Sequence, residues 1–153
     1  MDVNSINPVL AAFASILPQI GFQTVEKKGV SLGGSKLVSK GLIVNIGVMG
    51  PLKGSILIGM DLESAKKFAS KMMMGMPVEE LDSLAQSAIS EMSNMVCANA
   101  CTNFAATGLA DLDISPPTLL LGKNAKVNLS APKAIAVAFL VDDLTIDVYV
   151  GLM

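Results

Sequence analysis

The sequence has no His, no Trp and no Arg, and all eleven of its basic residues are Lys. Each absence closes a class of chemistry. A Ser-His-Asp or Cys-His nucleophile needs an imidazole base. A zinc site built on imidazole is excluded, and the two Cys alone cannot close a tetrahedral one. Without Arg there is no bidentate clamp on phosphate or guanine. The net charge of −2 lacks the basic footprint of a nucleic-acid binder. Long apolar runs are also missing. The longest, Ala134 to Val141, is 8 residues, against the roughly 20 a membrane helix needs. Met1-Asp2-Val3-Asn4 carries no positive charge in the manner of a secretory signal, and Pro18 interrupts the nearby apolar stretch. The expectation is a soluble cytoplasmic protein with no nucleic acid and no membrane insertion.

What remains is one domain of ordinary size, residues 1–153. At 52% hydrophobic and 16% charged residues it can build a sizeable core. Residues 5–20 read as a first helix, with Ser5 or Asn7 as cap, Pro8 in the first turn and Gly21 as stop. Strand-like runs follow at about 22–32, 37–49 and 53–60. In the second run Leu42, Val44, Ile46 and Val48 alternate with Ile43, Asn45, Gly47 and Met49, and Met49-Gly50-Pro51-Leu52 supplies the next turn. Gly33-Gly34-Ser35-Lys36 lacks the spacing of a phosphate loop and reads as a hairpin turn. Asp61 caps a short helix over 62–74, closed by Gly75 and Pro77. A long helix is expected from about 78, with Glu79, Glu80 and Asp82 in its first turns and no breaker before Gly108. The tail reads as strands at about 118–122, 125–130, 133–141 and 144–152, with Asp142-Asp143 as a hairpin turn. Each half thus reads helix, strands, closing hairpin, as a duplicated unit would. The expected class is an α/β (α+β) fold: a mainly antiparallel six- or seven-stranded sheet with helices on one face.

On a helical wheel of 78–107, at about 100° per residue, one face collects Leu81, Ala85, Ala88, Met92, Met95 and Val96, the expected core stripe. The opposite arc collects Ser83, Ser87, Ser90, Glu91, Asn94, Ala98, Cys101 and Ala105. It is polar yet built of short side chains, whereas a solvated helix face favours long Lys, Glu and Gln. Glu91 and Asn94 reach outward from this ledge, and their i, i+3 spacing projects them together. A second protein could approach such a ledge closely and meet one carboxylate and one amide.

Three, two and twenty-two residues lie between Ser87, Glu91, Asn94 and Pro117 in turn. This spacing resembles the signature of the CheC/CheX/FliY phosphatases of bacterial chemotaxis: Asp or Ser, x3, Glu, x2, Asn, x22, Pro. The order of elements is similar over nearly the whole chain. The resemblance implies a CheC-like fold and a phosphatase acting on the aspartyl phosphate of a CheY-type response regulator, without a covalent intermediate of its own. It implies that Asn94 orients the attacking water and that Glu91 docks the regulator through one of its Lys residues. Ser87 would position the helix and Pro117 would shape the following loop. No metal or cofactor of its own is implied; Mg²⁺ is expected in the regulator. The first helix offers Asn4 and Asn7 but no Glu before Glu26, so a single site remains, as in the CheX branch. That branch implies a homodimer joined through sheet edges, a way of covering apolar strands.

Two other readings compete: a non-catalytic module that binds a regulator or flagellar component, and an oxidant sensor built on Cys97, Cys101 and the methionines. The two Cys are four apart on one expected helix and read as free thiols. No Lys lies within a turn to lower their pKa, which argues against a sensor. Met72-Met73-Met74-Gly75-Met76 reads as core filling at a helix end. Lys66, Lys67 and Lys71 read as a solvated face, with a docking patch for an acidic partner as the alternative. Asp111, Asp113, Asp142 and Asp143 do not match the offsets of a calcium loop.

Overall fold

A computed structural model of the protein describes residues 3–153. Met1 and Asp2, part of the stretch read for a targeting signal, lie outside the described residues. A 3-10 turn (Val3–Ile6) leads into α1 (Asn7–Ile20). Pro8 sits in the first turn of α1, where its missing N–H has no intrahelical partner to lose. The N-cap position falls to neither Ser5 nor Asn7. The N-cap is Ile6, whose φ of −98° and ψ of 0° continue the 3-10 turn, and a capping side chain needs extended backbone there. Gly21 ends α1 at φ 126°, its amide donating to the carbonyls of Leu17 and Pro18.

The strands are β1 (Val25–Gly33), β2 (Lys36–Val38), β3 (Gly41–Met49) and β4 (Gly54–Asp61). The run expected over 37–49 therefore divides at Ser39-Lys40. Gly33–Lys36 is a correction too: it makes no hairpin, because β1 pairs with β8 (Ala134–Val141) and β2 with β7 (Lys126–Asn128). The segment instead carries the chain from the main sheet to a separate two-stranded ribbon, anchored where Leu129 N donates to Ser35 O at 2.7 Å. Then come α2 (Leu62–Met72), α3 (Ser83–Ala106), β5 (Asp113–Ile114), β6 (Thr118–Leu121) and, last, β9 (Leu144–Leu152). Asp61 caps α2 as expected, Oδ1 accepting from Ser64 N at 2.7 Å. Asp142-Asp143 makes the β8–β9 turn. Asp142 Oδ1 also accepts from the amides of Thr24 and Gln23 at 2.9 and 3.0 Å. Those bonds, Thr24 foremost, hold its carboxyl below the usual range.

The main sheet has seven strands, every pair antiparallel. Its order is β1-β8-β9-β4-β3, with β5 and β6 both along the far edge of β3. The duplication read from the sequence takes a specific form here. The hairpin of each half (β3–β4, β8–β9) is flanked by the leading strand of the other half (β6, β1), and the halves meet at the central β4–β9 pair. The three helices pack on one face. Leu42, Val44, Ile46 and Val48 of β3 join the helix-facing core, and Ile43 and Leu57 join a smaller cluster under the β2–β7 ribbon. The alternation in the sequence thus sorted the two faces of β3 correctly. Each large side chain so buried contributes about 1.5–3 kcal/mol, and Phe13, Leu17, Phe68 and Ile89 are among those fully removed from solvent.

The long helix begins at Ser83, not near residue 78. Asp82 is its cap, Oδ1 accepting from Ala85 N at 2.9 Å, so Glu79 and Glu80 fall before the helix. A capped amide outweighs the weaker dipole preference that suggested the earlier start. The buried arc of α3 is Ala85, Ile89, Met92, Ser93, Val96, Cys97, Ala100 and Phe104. Leu81, Ala88 and Met95, expected in the core, are only half-buried. The difference arises because α3 is wedged against both α1 and the sheet, which widens and rotates its buried arc. Ser93 tolerates burial by donating to Ile89 O at 3.0 Å. The methionine reading holds for Met72 and Met73, which pack against the core. It fails for Met74, 96% exposed, and Met76. Met74 sits at φ 60° in the turn that closes α2, which swings its side chain outward.

Candidate functional site

The outer arc of α3 stays uncovered, as the wheel implied. Ser87 and Glu91 are exposed, and Ser90 and Asn94 are half-buried. Among the described residues no side-chain hydrogen bond or ion pair engages Glu91 or Asn94, so both are available to a partner. The four side chains form one side of an open cleft of about 460 Å³. The segment Ile114–Pro117 forms the other side. Pro117, twenty-three positions beyond Asn94 in the chain, therefore faces the same cleft as Ser87, Glu91 and Asn94.

The tertiary structure causes this meeting. After α3 the chain returns along the far edge of β3, pairing Ile114 with Val48 and Thr118 with Asn45. Because α3 crosses the sheet beside β3, the residues between those pairs arrive next to its outer arc. Sequence reasoning missed β5 and the contribution of Ile114, Ser115 and Pro116. A two-residue strand carries no periodic signal; the Ser-Pro-Pro run was the available hint, since prolines mark edges and bulges.

The remaining candidates lie elsewhere. Lys66 and Lys67 on α2 make ion pairs with Glu63 at 3.3 Å and with Asp143 at 3.8 Å. Lys71 stands over the Phe22 ring, 5.8 Å from its centre. Cys97 is a buried free thiol, pushed up to about 12 by burial and by Cys101 beside it. Burial and Asp113 also raise Cys101. Thiols shifted in this direction hold their protons and make poor sensors. Among the described residues no three His, Cys, Asp or Glu side chains gather as a metal site requires, and no helix is long and apolar enough to cross a membrane.

Comparison with known proteins bears on this arrangement. Residues 42–140, most of the chain, match the profile of the family described as chemotaxis phosphatase CheX. The chain belongs to the CheX family. The CheY-P phosphatase CheX of Thermotoga maritima is 30% identical over 128 residues, covering 83% of this chain and 81% of that protein. Among solved structures, the CheX in the CheX–CheY–BeF3–Mg²⁺ complex from Borrelia burgdorferi is 28% identical, with a TM-score of 0.82 and 96% of each chain covered. A CheC-like superfamily protein from a Shewanella species superposes with a TM-score of 0.88 at 23% identity, over 100% of this chain and 99% of that one. At that identity the likeness speaks for the fold, and the fold is the CheC-like one. For a CheX-family chain, the cleft between α3 and Ile114–Pro117 is the candidate active site.

Proposed function

We propose that this CheX-family protein is a phosphatase that hydrolyses the aspartyl phosphate of a CheY-type response regulator in bacterial chemotaxis. One observation carries the reading: Ser87, Glu91, Asn94 and Pro117, spread over thirty-one positions of sequence, line a single solvent-facing cleft. An aspartyl phosphate is a mixed anhydride. Water attacks phosphorus, the bond from phosphorus to the carboxylate oxygen breaks, and inorganic phosphate and a free aspartate remain. The regulator would bring the Mg²⁺ that neutralises charge on the phosphoryl oxygens. What an accessory protein can add is position. The Asn94 amide can accept a hydrogen bond from the water through its oxygen or donate one through its nitrogen, and so hold it in line without changing protonation state. No His or Arg is required for that task. Glu91, exposed one turn earlier on the same arc, would pair with a Lys of the regulator and set the register of docking. Ser87 and Pro117 would border the contact.

The test is the decay of a phosphorylated CheY-type regulator from the same genome, with Mg²⁺, in the presence and absence of this protein. Acceleration supports the reading. Binding without acceleration replaces it with a non-catalytic module. For Glu91→Lys, reversing the sign of the docking charge raises KM by about tenfold, the scale of a close charge pair across an interface, with a smaller change in kcat. A KM within twofold of the wild type would remove Glu91 from the docking contact.

The homodimer belongs to the same proposal. β1 is an edge strand of nine residues, eight of them exposed, with Val30 and Leu32 uncovered on its helix-facing side. Glu26, Lys27 and Lys28 charge the first part of this edge, so a second copy would pair along the uncharged Gly29–Gly33 stretch, where Val30 and Leu32 would be covered. Sedimentation equilibrium at micromolar concentration reads this directly, and a purely monomeric protein would refute the edge-paired dimer.

A further inference from the structure

The wall opposite Glu91 and Asn94 has an unusual build. On β3, two residues (Ile46, Gly47) separate the partner of Thr118 from the partner of Ile114. On the facing segment, three residues (Ser115, Pro116, Pro117) fill the same interval. One strand therefore carries an extra residue, and two of the three cannot donate a backbone hydrogen bond. Such a segment would peel away from the sheet unless something else held it.

Ser115 holds it. Its amide donates to Gly47 O at 2.9 Å. The Gly47 amide in return donates to the Ser115 hydroxyl oxygen at 2.8 Å. That side-chain oxygen takes the place of the backbone carbonyl the ladder would otherwise present. The hydroxyl then donates to Pro116 O at 3.3 Å, so it acts as acceptor and donor at once, tying β3 to the first proline of the wall. Gly47 completes the device: a Cβ there would lie 3.1 Å from the Ser115 oxygen. Pro116 is exposed and Pro117 half-buried at the rim of the cleft.

We infer that Ser115 is a positioning residue for the phosphatase: its hydroxyl, seated on Gly47, fixes the Pro116-Pro117 wall against which the regulator docks opposite Glu91 and Asn94. This rests on the function proposed above. Ser115 reaches the reaction only through that wall, so its loss weakens docking before it slows chemistry.

The experiment is steady-state phosphate release with acetyl phosphate as donor, a CheY-type regulator from the same genome as substrate, and Mg²⁺ present. Ser115→Ala raises the KM for the regulator about tenfold, with kcat within about twofold. Ser115→Thr, which keeps the hydroxyl, recovers most of the loss. Gly47→Ala displaces the hydroxyl from the other side and also raises KM, but adds little in the Ser115→Ala background, because the two act through one contact. Thermal unfolding by circular dichroism confirms that each variant is folded at the assay temperature. A purely structural role would lower the melting temperature and the active fraction while KM stayed at the wild-type value; that result overturns the inference. A wild-type protein that accelerates nothing would instead overturn the phosphatase reading, and the role of Ser115 with it.

Discussion

Asn94→Ala lowers turnover of the phosphorylated regulator by about 10²-fold or more while leaving its affinity nearly unchanged. The magnitude follows from what positioning groups supply elsewhere, where losing one aligned donor or misplacing the reactants by an ångström costs on the order of 10²–10³-fold. The reaction offers no second group in this chain to take over. His and Arg are absent, and the other side chains of α3 at the cleft are two Ser and one carboxylate. Folding does not confuse the result, because Asn94 bonds to no described side chain and Ala is the better helix former. Asn94→Asp, of the same shape, also fails, since its charge meets an anionic phosphoryl group. Turnover and the dissociation constant, measured separately, decide the matter. An Asn94→Ala protein that retained even a third of wild-type kcat would locate the water-positioning group elsewhere.

Gly54→Ala unfolds the protein or destabilises it by about 3 kcal/mol or more, combining a strained backbone with an overpacked core. Gly54 opens β4 at φ +146°, and a Cβ built there would lie 1.9 Å from the carbonyl oxygen of Gly151 in β9. The clash is with backbone at the β4–β9 seam where the two halves of the chain join, so no side chain can rotate to relieve it. Gly34→Ala is the control. No atom lies within 4 Å of its Cβ position and its φ is not positive, so its stability changes by less than about 0.5 kcal/mol, as for an ordinary surface position. Denaturant midpoints measure both. A Gly54→Ala protein as stable as the Gly34→Ala one would mean that the seam yields by moving the strands apart.

Local chemistry accounts for what the sequence displayed well. Asp61 at the head of α2 accepts from an amide three residues on, and Asp142-Asp143 turns the chain between adjacent strands, so both are local signals. That the Asp142 carboxylate also holds the amides of Gln23 and Thr24 is a long-range contact the sequence did not display. The 3.6-residue period placed Glu91 and Asn94 on one outward arc because a helix face depends only on spacing along the chain. The failures have the opposite character. The expected start of α3 lies five residues before the observed one because acids in a first turn and an acid at a cap look alike until one hydrogen bond is formed. Gly33–Lys36 resembles a hairpin turn by composition, and only strand pairing sends its two ends into different sheets.

The amino-acid sequence by itself determined the three helices and most of the strands in order, though not the break between β2 and β3 or the short β5, as well as the sorting of β3 into two faces and the bare polar ledge of α3. All of these arise from propensities and periods within a single continuous segment of chain. Only the tertiary structure decided that the halves interleave at β4–β9, and that the segment after α3 returns beside β3 with one residue too many. It alone brought Ser115, Pro116 and Pro117 across from Glu91 and Asn94. Strand order and register are properties of pairs of segments far apart in the chain, set by which burial of both faces leaves the fewest unpaired groups, and no local pattern encodes them.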